Sequence, residues 1–163
     1  MSSSRRASAF AAALIVASCG FHLRGQATYA FQSIYVNATG APAFESELKR
    51  SLEGAGSAKV AATPTAAQVI LDIPSVVDEK DVLSLSPAGS VREYALVMRV
   101  NFRIHDTDGL DWLPPAEIVI RRSYTFNETE VLARDAEEQR LLREMQTDAI
   151  AQLIRRLQAA KKP

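Results

Sequence analysis

Tyr94-Ala95-Leu96-Val97-Met98-Arg99-Val100-Asn101-Phe102-Arg103-Ile104 is the stretch on which the fold turns. Tyr94, Leu96, Met98, Val100, Phe102 and Ile104 alternate with Ala95, Val97, Arg99, Asn101 and Arg103. Successive side chains of a β-strand point to opposite faces, so one face here is apolar throughout and the other carries the arginines. The stretch is therefore a half-buried strand, and another layer must cover its apolar face. Just ahead of it, Ser86-Pro87-Ala88-Gly89 has the chemistry of a turn. Further upstream Val69, Leu71 and Ile73 alternate in a second strand, which Pro74 either bends or confines to a sheet edge. Val76 to Leu85 extends that strand past the irregularity, interrupted by Asp78-Glu79-Lys80-Asp81.

Downstream, Asp106-Thr107-Asp108-Gly109 opens a loop that ends at Pro114-Pro115. Ile118, Ile120, Tyr124 and Phe126 then mark another strand, with Arg121 and Ser123 on its opposite face and Arg122 in the inward register. Ser33-Ile34-Tyr35-Val36-Asn37, β-branched and aromatic, reads as the first strand. Two helices complete the pattern. Pro42 suits a first helical turn, Phe44, Leu48 and Leu52 recur every four residues, and Gly54 supplies a stop. Near the carboxyl end Leu142, Met145, Ala149, Ile150, Leu153, Ile154 and Leu157 form one apolar stripe. The spacing predicts regular helix from about Asp135, with a turn before it, because Asn127-Glu128-Thr129-Glu130 and Asp135-Ala136-Glu137-Glu138 both resemble capping boxes. The order β-α-β-β-β-α predicts an α+β two-layer sandwich: about four strands in a mixed or antiparallel sheet, with both helices on one face.

The amino-terminal region has a different character. Arg5 and Arg6 precede a short apolar run, Ala9 to Val16, and Val16-Ala17-Ser18 leads into Cys19, the only cysteine. A positive start, a short hydrophobic middle and small residues make a secretory signal. The run is too short for a transmembrane helix, which needs roughly 20 apolar residues. Small residues ending in cysteine resemble a bacterial lipobox, so residues 1–18 are expected to be cleaved and Cys19 to carry an S-diacylglycerol and an N-acyl chain. Gly20 in second place favours the outer membrane in enterobacterial-type sorting. Residues 19–32 read as a lipidated tether and 33–160 as the folded domain. Of 163 residues, loss of the first 18 leaves 145, enough for one domain with a sizeable core. The signal holds two arginines and no acids, so the 19 basic and 19 acidic residues of the whole become a net charge of −2. That balance argues against nucleic acid as a partner.

Catalytic and metal-binding patterns are missing from the sequence. His22 and His105 stand apart from any His, Cys, Asp or Glu set at metal-ligand spacing, and no nucleophile elbow, phosphate loop or dinucleotide fingerprint occurs. Asp106, Asp108 and Asp111 alternate like a calcium loop but lack its closing glutamate and its length. No enzyme, metal or cofactor is expected beyond the lipid on Cys19. The arginines carry more information. Arg99 and Arg103 share the face opposite Leu96 and Val100, Arg121 joins them if the next strand pairs antiparallel, and Arg92 lies nearby. Such a row suits phosphate groups, because the guanidinium fork binds oxyanions bidentately. It equally suits a solvated face balanced by glutamates.

The stretch Cys19-Gly20-Phe21-His22-Leu23-Arg24 resembles the opening of the LPS-assembly lipoprotein LptE family. Arg92-Glu93-Tyr94-Ala95-Leu96-Val97-Met98-Arg99-Val100 is similar to that family's Glu-Tyr strand, and Leu132-Ala133-Arg134-Asp135 to the segment leading into its last helix. Glu144-Met145 and Gln152-Leu153-Ile154-Arg155-Arg156-Leu157 resemble the later turns of that helix. The resemblance implies a non-enzymatic outer-membrane lipoprotein that sits in the lumen of the LptD β-barrel as plug and assembly partner, in one-to-one ratio. Together the two deliver lipopolysaccharide to the outer leaflet. It also implies direct lipopolysaccharide binding through basic residues that meet lipid A phosphates. Arg134 matches the basic position before the helix, and the basic contact of the Ser86–Arg92 hairpin falls to Arg92. The other class of function that fits is a lipid carrier or structural adaptor, anchored to the outer membrane and facing the periplasm.

Overall fold

The computed structural model describes residues 28–55, 58–125 and 131–163, with residues 131–134 described by their backbone alone. Cys19 and the signal lie outside the described residues, as does Phe126. The elements run β1 (Ser33–Ala38), α1 (Pro42–Ala55), β2 (Lys59–Val60), a 3-10 turn (Pro64–Ala66), β3 (Val69–Leu85), β4 (Val91–Asp106), β5 (Asp111–Thr125) and α2 (Val131–Ala159). One mixed sheet has the order β2-β1-β3-β4-β5. β1 pairs parallel with β2 and β3, while β3-β4 and β4-β5 are antiparallel hairpins. Both helices cover one face, as the α+β two-layer reading requires.

The alternation in β4 becomes burial directly. Leu96, Met98, Val100, Phe102 and Ile104 face the helices and are at most 2% exposed. They meet Ile34 and Val36 of β1, Leu71 and Ile73 of β3, Ile118 and Ile120 of β5, and the stripes of α1 and α2. In α1 that stripe is Phe44, Leu48 and Leu52. In α2 it runs Leu141, Met145, Ala149, Ile150, Leu153 and Leu157, with Ala160 buried just past the helix end. Leu141 is therefore the buried member of the Leu141-Leu142 pair, and Leu142 packs only at the margin. The core also takes in Tyr29 and Phe31, which precede β1 in the stretch expected as tether. Phe31 stacks on Tyr29 with ring centroids 5.1 Å apart and meets Trp112 of β5 edge-on at 6.2 Å.

Three details differ from the sequence reading. The sheet has a fifth strand, β2, whose two residues are too few to show a period. β5 begins at Asp111, ahead of the two prolines rather than after them. It is the outermost strand, where an outward N–H has no ladder partner to lose, and the register shift opposite the two prolines takes them out of the regular ladder. Finally, α2 starts at Val131, so the turn expected before Asp135 is part of the regular helix.

Both hairpins close by one device. Gly89 and Gly109 take φ of +84° and +85°, and each donates its N–H to the carbonyl three residues back, Ser86 at 2.9 Å and Asp106 at 3.1 Å. A turn followed by a left-handed residue matches the twist of the strands and favours glycine there. The Asp106 carboxylate accepts from the N–H groups of Asp108 and Leu110 at 3.0 and 2.9 Å, so this acid organises a turn.

Candidate functional site

The helices leave one face of the sheet open, and most of the sequence's candidate residues lie on or beside it. Cross-strand partners set its rows: Val77, Arg99 and Val119 in one, and Glu79, Val97 and Arg121 in the next. Arg121 does join the arginine face, because the β4-β5 hairpin is antiparallel. Arg99 is held between two carboxylates, with Nε 3.2 Å from Glu79 and Nη1 3.4 Å from Glu117. Arg103 donates from Nε to Asp111 at 2.7 Å and from Nη2 to the Gly109 carbonyl at 3.2 Å. These two are balanced by acids within the sheet. Arg92 and Arg121 are exposed, and among the described residues neither has a carboxylate partner. Arg134 lies in the first turn of α2; its side chain, like Cys19, is outside the described residues. The expected row is thus divided: Arg99 and Arg103 are neutralised, while Arg92 and Arg121 stand free.

A groove of about 610 Å³ crosses the open face where the strands are irregular. β3 shifts register between Asp72 and Ser75, around Pro74, and the β4-β5 ladder shifts between Phe102 and Ile104, opposite the Pro114-Pro115 pair. Pro74, Pro115 and Ala116 give the groove an apolar lining, and Asn37, Asp72, Asn101, Arg103 and Glu117 its polar rim. Asp72 is the hub of that rim. It accepts from Asn37 Nδ2 at 2.9 Å and faces His105 Nε2 at 2.9 Å, while His105 Nδ1 lies 2.7 Å from the Asp106 carbonyl. The contacts tie β1, β3 and β4 together on the uncovered side.

Desolvation alone would raise the Asp72 carboxyl. The hydrogen bonds from Asn37 and His105, with the nearby charges of His105 and Arg103, outweigh it and hold the carboxyl below its ordinary 3.8. A carboxyl lowered in the folded state adds stability that is complete above the unfolded value and disappears as pH falls through the folded one. Asp72→Asn is therefore expected to cost at most about 1 kcal/mol at neutral pH, given its partial exposure. Its stability should then fall less steeply than the wild type's below pH 3.8. Acid titration of the unfolding midpoint checks this; parallel acid limbs would show that the network adds nothing.

On the helix side, Lys80 forms a second network. Its Nζ is 2.5 Å from Glu138 Oε2 and sits 4.5 Å from the centre of the Tyr94 ring. Tyr124 donates to the same Glu138 oxygen at 2.5 Å. Burial would lower the Lys80 ammonium, but Glu138 and Tyr124 more than offset it, so the lysine stays charged and fastens α2 onto both hairpins. Arg122, in the inward register as read, reaches past the sheet to Asp148 of α2. Beside it on α2, Arg140 donates to Glu137 and to Glu144 at 2.5 Å each.

Sequence reasoning did not single out Asn37, Asp72, Lys80, Tyr124 or Glu138 as members of any network. Asp72 carried one usable signal: it is an acid in a β-branched strand with the opposite parity to Leu71 and Ile73, hence on the arginine side. Among the described residues no three His, Cys, Asp or Glu side chains gather into a set able to hold a metal ion. None of the described helices is long and apolar enough to cross a membrane.

Residues 31–157 match the family model LptE, described as lipopolysaccharide-assembly. The chain is 28% identical over 149 residues to the LPS-assembly lipoprotein LptE of Photorhabdus laumondii, covering 90% of this chain and 80% of that protein. The solution NMR structure of lipoprotein B from Nitrosomonas europaea matches with a TM-score of 0.76 at 35% identity, covering 86% of this chain and 91% of that one. The crystal structure of a minor lipoprotein from Acinetobacter baumannii shares the fold, with a TM-score of 0.67 at 20% identity, covering 83% and 100%.

Proposed function

This chain belongs to the LptE family of lipopolysaccharide-assembly proteins, and from that premise we propose that it is a lipid-anchored outer-membrane lipoprotein that plugs and helps assemble the LptD β-barrel. In one-to-one complex with LptD it serves the insertion of lipopolysaccharide into the outer leaflet, binding lipopolysaccharide itself and catalysing no reaction. The observation that carries this reading is the extent of the family match, which spans β1 to the last turns of α2 and so takes in nearly the whole packed domain. The packing supports it. A plug needs a rigid body with largely polar outer faces for a wet lumen, and here most of the large apolar side chains lie in one continuous core, the β3 arm being the main exception. The main groove lies on the outer face of the sheet with a polar rim, whereas an acyl-chain carrier calls for an apolar cavity inside the layers.

Arg134 is the position we assign to lipid A phosphate, with Arg92 and Arg121 as further basic contacts. The first turn of α2 carries no acid, and Arg134 places a cation where the helix dipole disfavours one. A phosphate group would relieve that opposition by pairing with the guanidinium. Arg99 and Arg103, already held by Glu79, Glu117 and Asp111, would have to exchange those partners to take part.

The test is gentle solubilisation of outer membranes and capture of the tagged lipoprotein, wild type beside Arg134→Asp. The wild type should bring down one large β-barrel in equal amount. Arg134→Asp should retain the barrel and its melting temperature while binding lipopolysaccharide about tenfold more weakly, the scale of one lost hydrogen bond to a charged group. Recovery of the lipoprotein alone would overturn the plug reading. Unfolding of Arg134→Asp, or unchanged lipopolysaccharide binding, would remove Arg134 from the site.

A further inference from the structure

β3 pairs with β1 only as far as Ile73. From Ser75 onward it keeps β4 on one side, and among the described residues no strand lies on the other. Among the described residues α2 packs mainly over β4 and β5 and meets this arm at the Lys80–Glu138 ion pair. The ladder is regular from Ser75 to Val82, eight residues and roughly 26 Å of backbone whose outward N–H and C=O groups have no strand partner. Such an edge templates the addition of another strand, and proteins usually blunt it with proline, a bulge or a lysine. Here Pro74 and the register shifts lie at the two ends of the stretch and leave its middle clean. Its only lysine, Lys80, is drawn onto the helix side by Glu138 and the tyrosine rings. The opposite edge of the sheet, β5, carries Pro114 and Pro115.

Two further observations describe what would pair there. Of the five large hydrophobic residues exposed among the described residues, Val77, Val82, Leu83 and Leu85 all belong to this arm, at 44 to 58% exposure. Its charge is acidic. Glu79 is taken by Arg99, but among the described residues neither Asp78 nor Asp81 has a cationic partner. The two point to opposite faces, Asp78 in register with Met98 on the helix side and Asp81 with Ala95 on the open side. Partial desolvation raises the Asp78 carboxyl above its ordinary value.

We propose that the free edge of β3, from Ser75 to Leu85, accepts an added β-strand from the barrel partner, an extended segment with apolar side chains and basic residues placed opposite Asp78 and Asp81. The inference rests on the plug reading and names the element through which the partner is held. Main-chain hydrogen bonds supply the attachment, and cross-strand contacts with Asp78, Asp81, Val77 and Val82 select the sequence. A second copy of this chain fits the edge poorly, because pairing it with itself would bring the unbalanced Asp78 and Asp81 of each copy together.

Amide hydrogen exchange on the full lipoprotein tests this, comparing the protein alone in detergent with the complex captured from outer membranes. Amides within Ser75–Leu85 should exchange at least tenfold more slowly in the complex. Asp78→Lys combined with Asp81→Lys should lower the recovered barrel at least fivefold while leaving the melting temperature of the isolated lipoprotein unchanged. An intact complex in which these amides exchange as in the free protein overturns the inference and leaves the plug reading standing. Protection that grows with the concentration of the isolated lipoprotein would assign the edge to self-association and overturn it equally. Failure to recover any barrel would remove the plug reading, and this inference with it.

Discussion

Cys19→Ala is expected to leave a folded domain that no longer stays with the membrane. The expectation follows from the chemistry of the anchor. A lipobox cysteine carries a diacylglycerol on sulfur and an acyl chain on nitrogen, and each buried methylene contributes about 0.8 kcal/mol to membrane retention. A single chain of ordinary length binds only marginally, so firm anchoring needs the full set and fails when the thiol that starts the modification is removed. Fold stability should not move, because Cys19 lies ten residues ahead of Tyr29, the first core residue among those described. Fractionation of the processed protein between membrane and periplasm is the measurement, with a melting curve beside it. A processed variant still wholly with the membrane would mean that the barrel, rather than the lipid, holds the chain in place. A lowered melting temperature would mean that the segment around Cys19 contributes to the domain.

How far the molecule could be read in advance depended on burial and on register. β4 was legible residue by residue because the helices cover one of its faces along most of its length, which forces a strict period of two. β2 was not, since two residues hold no period. Tyr29 and Phe31 carry no period because they lie among small and turn-forming residues, and only the structure shows that Trp112 closes over Phe31. The arginine face gives the sharpest case. The parity of Arg99 was plain, but its neutralisation by Glu79 depended on a feature hidden in the chain. Val69, Leu71 and Ile73 put odd-numbered residues inward, and unbroken alternation would have sent Glu79 to the core side. The register shift between Asp72 and Ser75 reverses that parity, turning Val76, Asp78 and Lys80 toward the helices and Glu79 toward Arg99. Pro74 signalled an irregularity in the sequence; its consequence for the charge of the open face needed the pairing.

Phe102→Ala should produce the largest loss of stability of any single change considered. Phe102 is 1% exposed on the helix-covered face of β4, and removing a buried phenyl ring forfeits its transfer free energy and leaves a cavity. Together these cost about 3–5 kcal/mol. A domain of this size has roughly 5–15 kcal/mol in hand, so the variant should lose between a fifth and the whole of its margin. In urea the midpoint should fall with the slope unchanged, since the surface exposed on unfolding is nearly the same. A midpoint within about 0.5 kcal/mol of wild type would mean that the core closes around the gap, and the tightly interlocked packing drawn from the burial pattern would be wrong. Leu83→Ala is the matched control. Leu83 is 55% exposed on the β3 arm, and such surface changes ordinarily stay within about 0.5 kcal/mol. An apolar side chain that adds nothing to folding is kept in water at a net hydrophobic disadvantage, and covering it on association recovers that free energy. The contrast between the buried and the exposed truncation therefore separates what holds the domain together from what it offers to a partner.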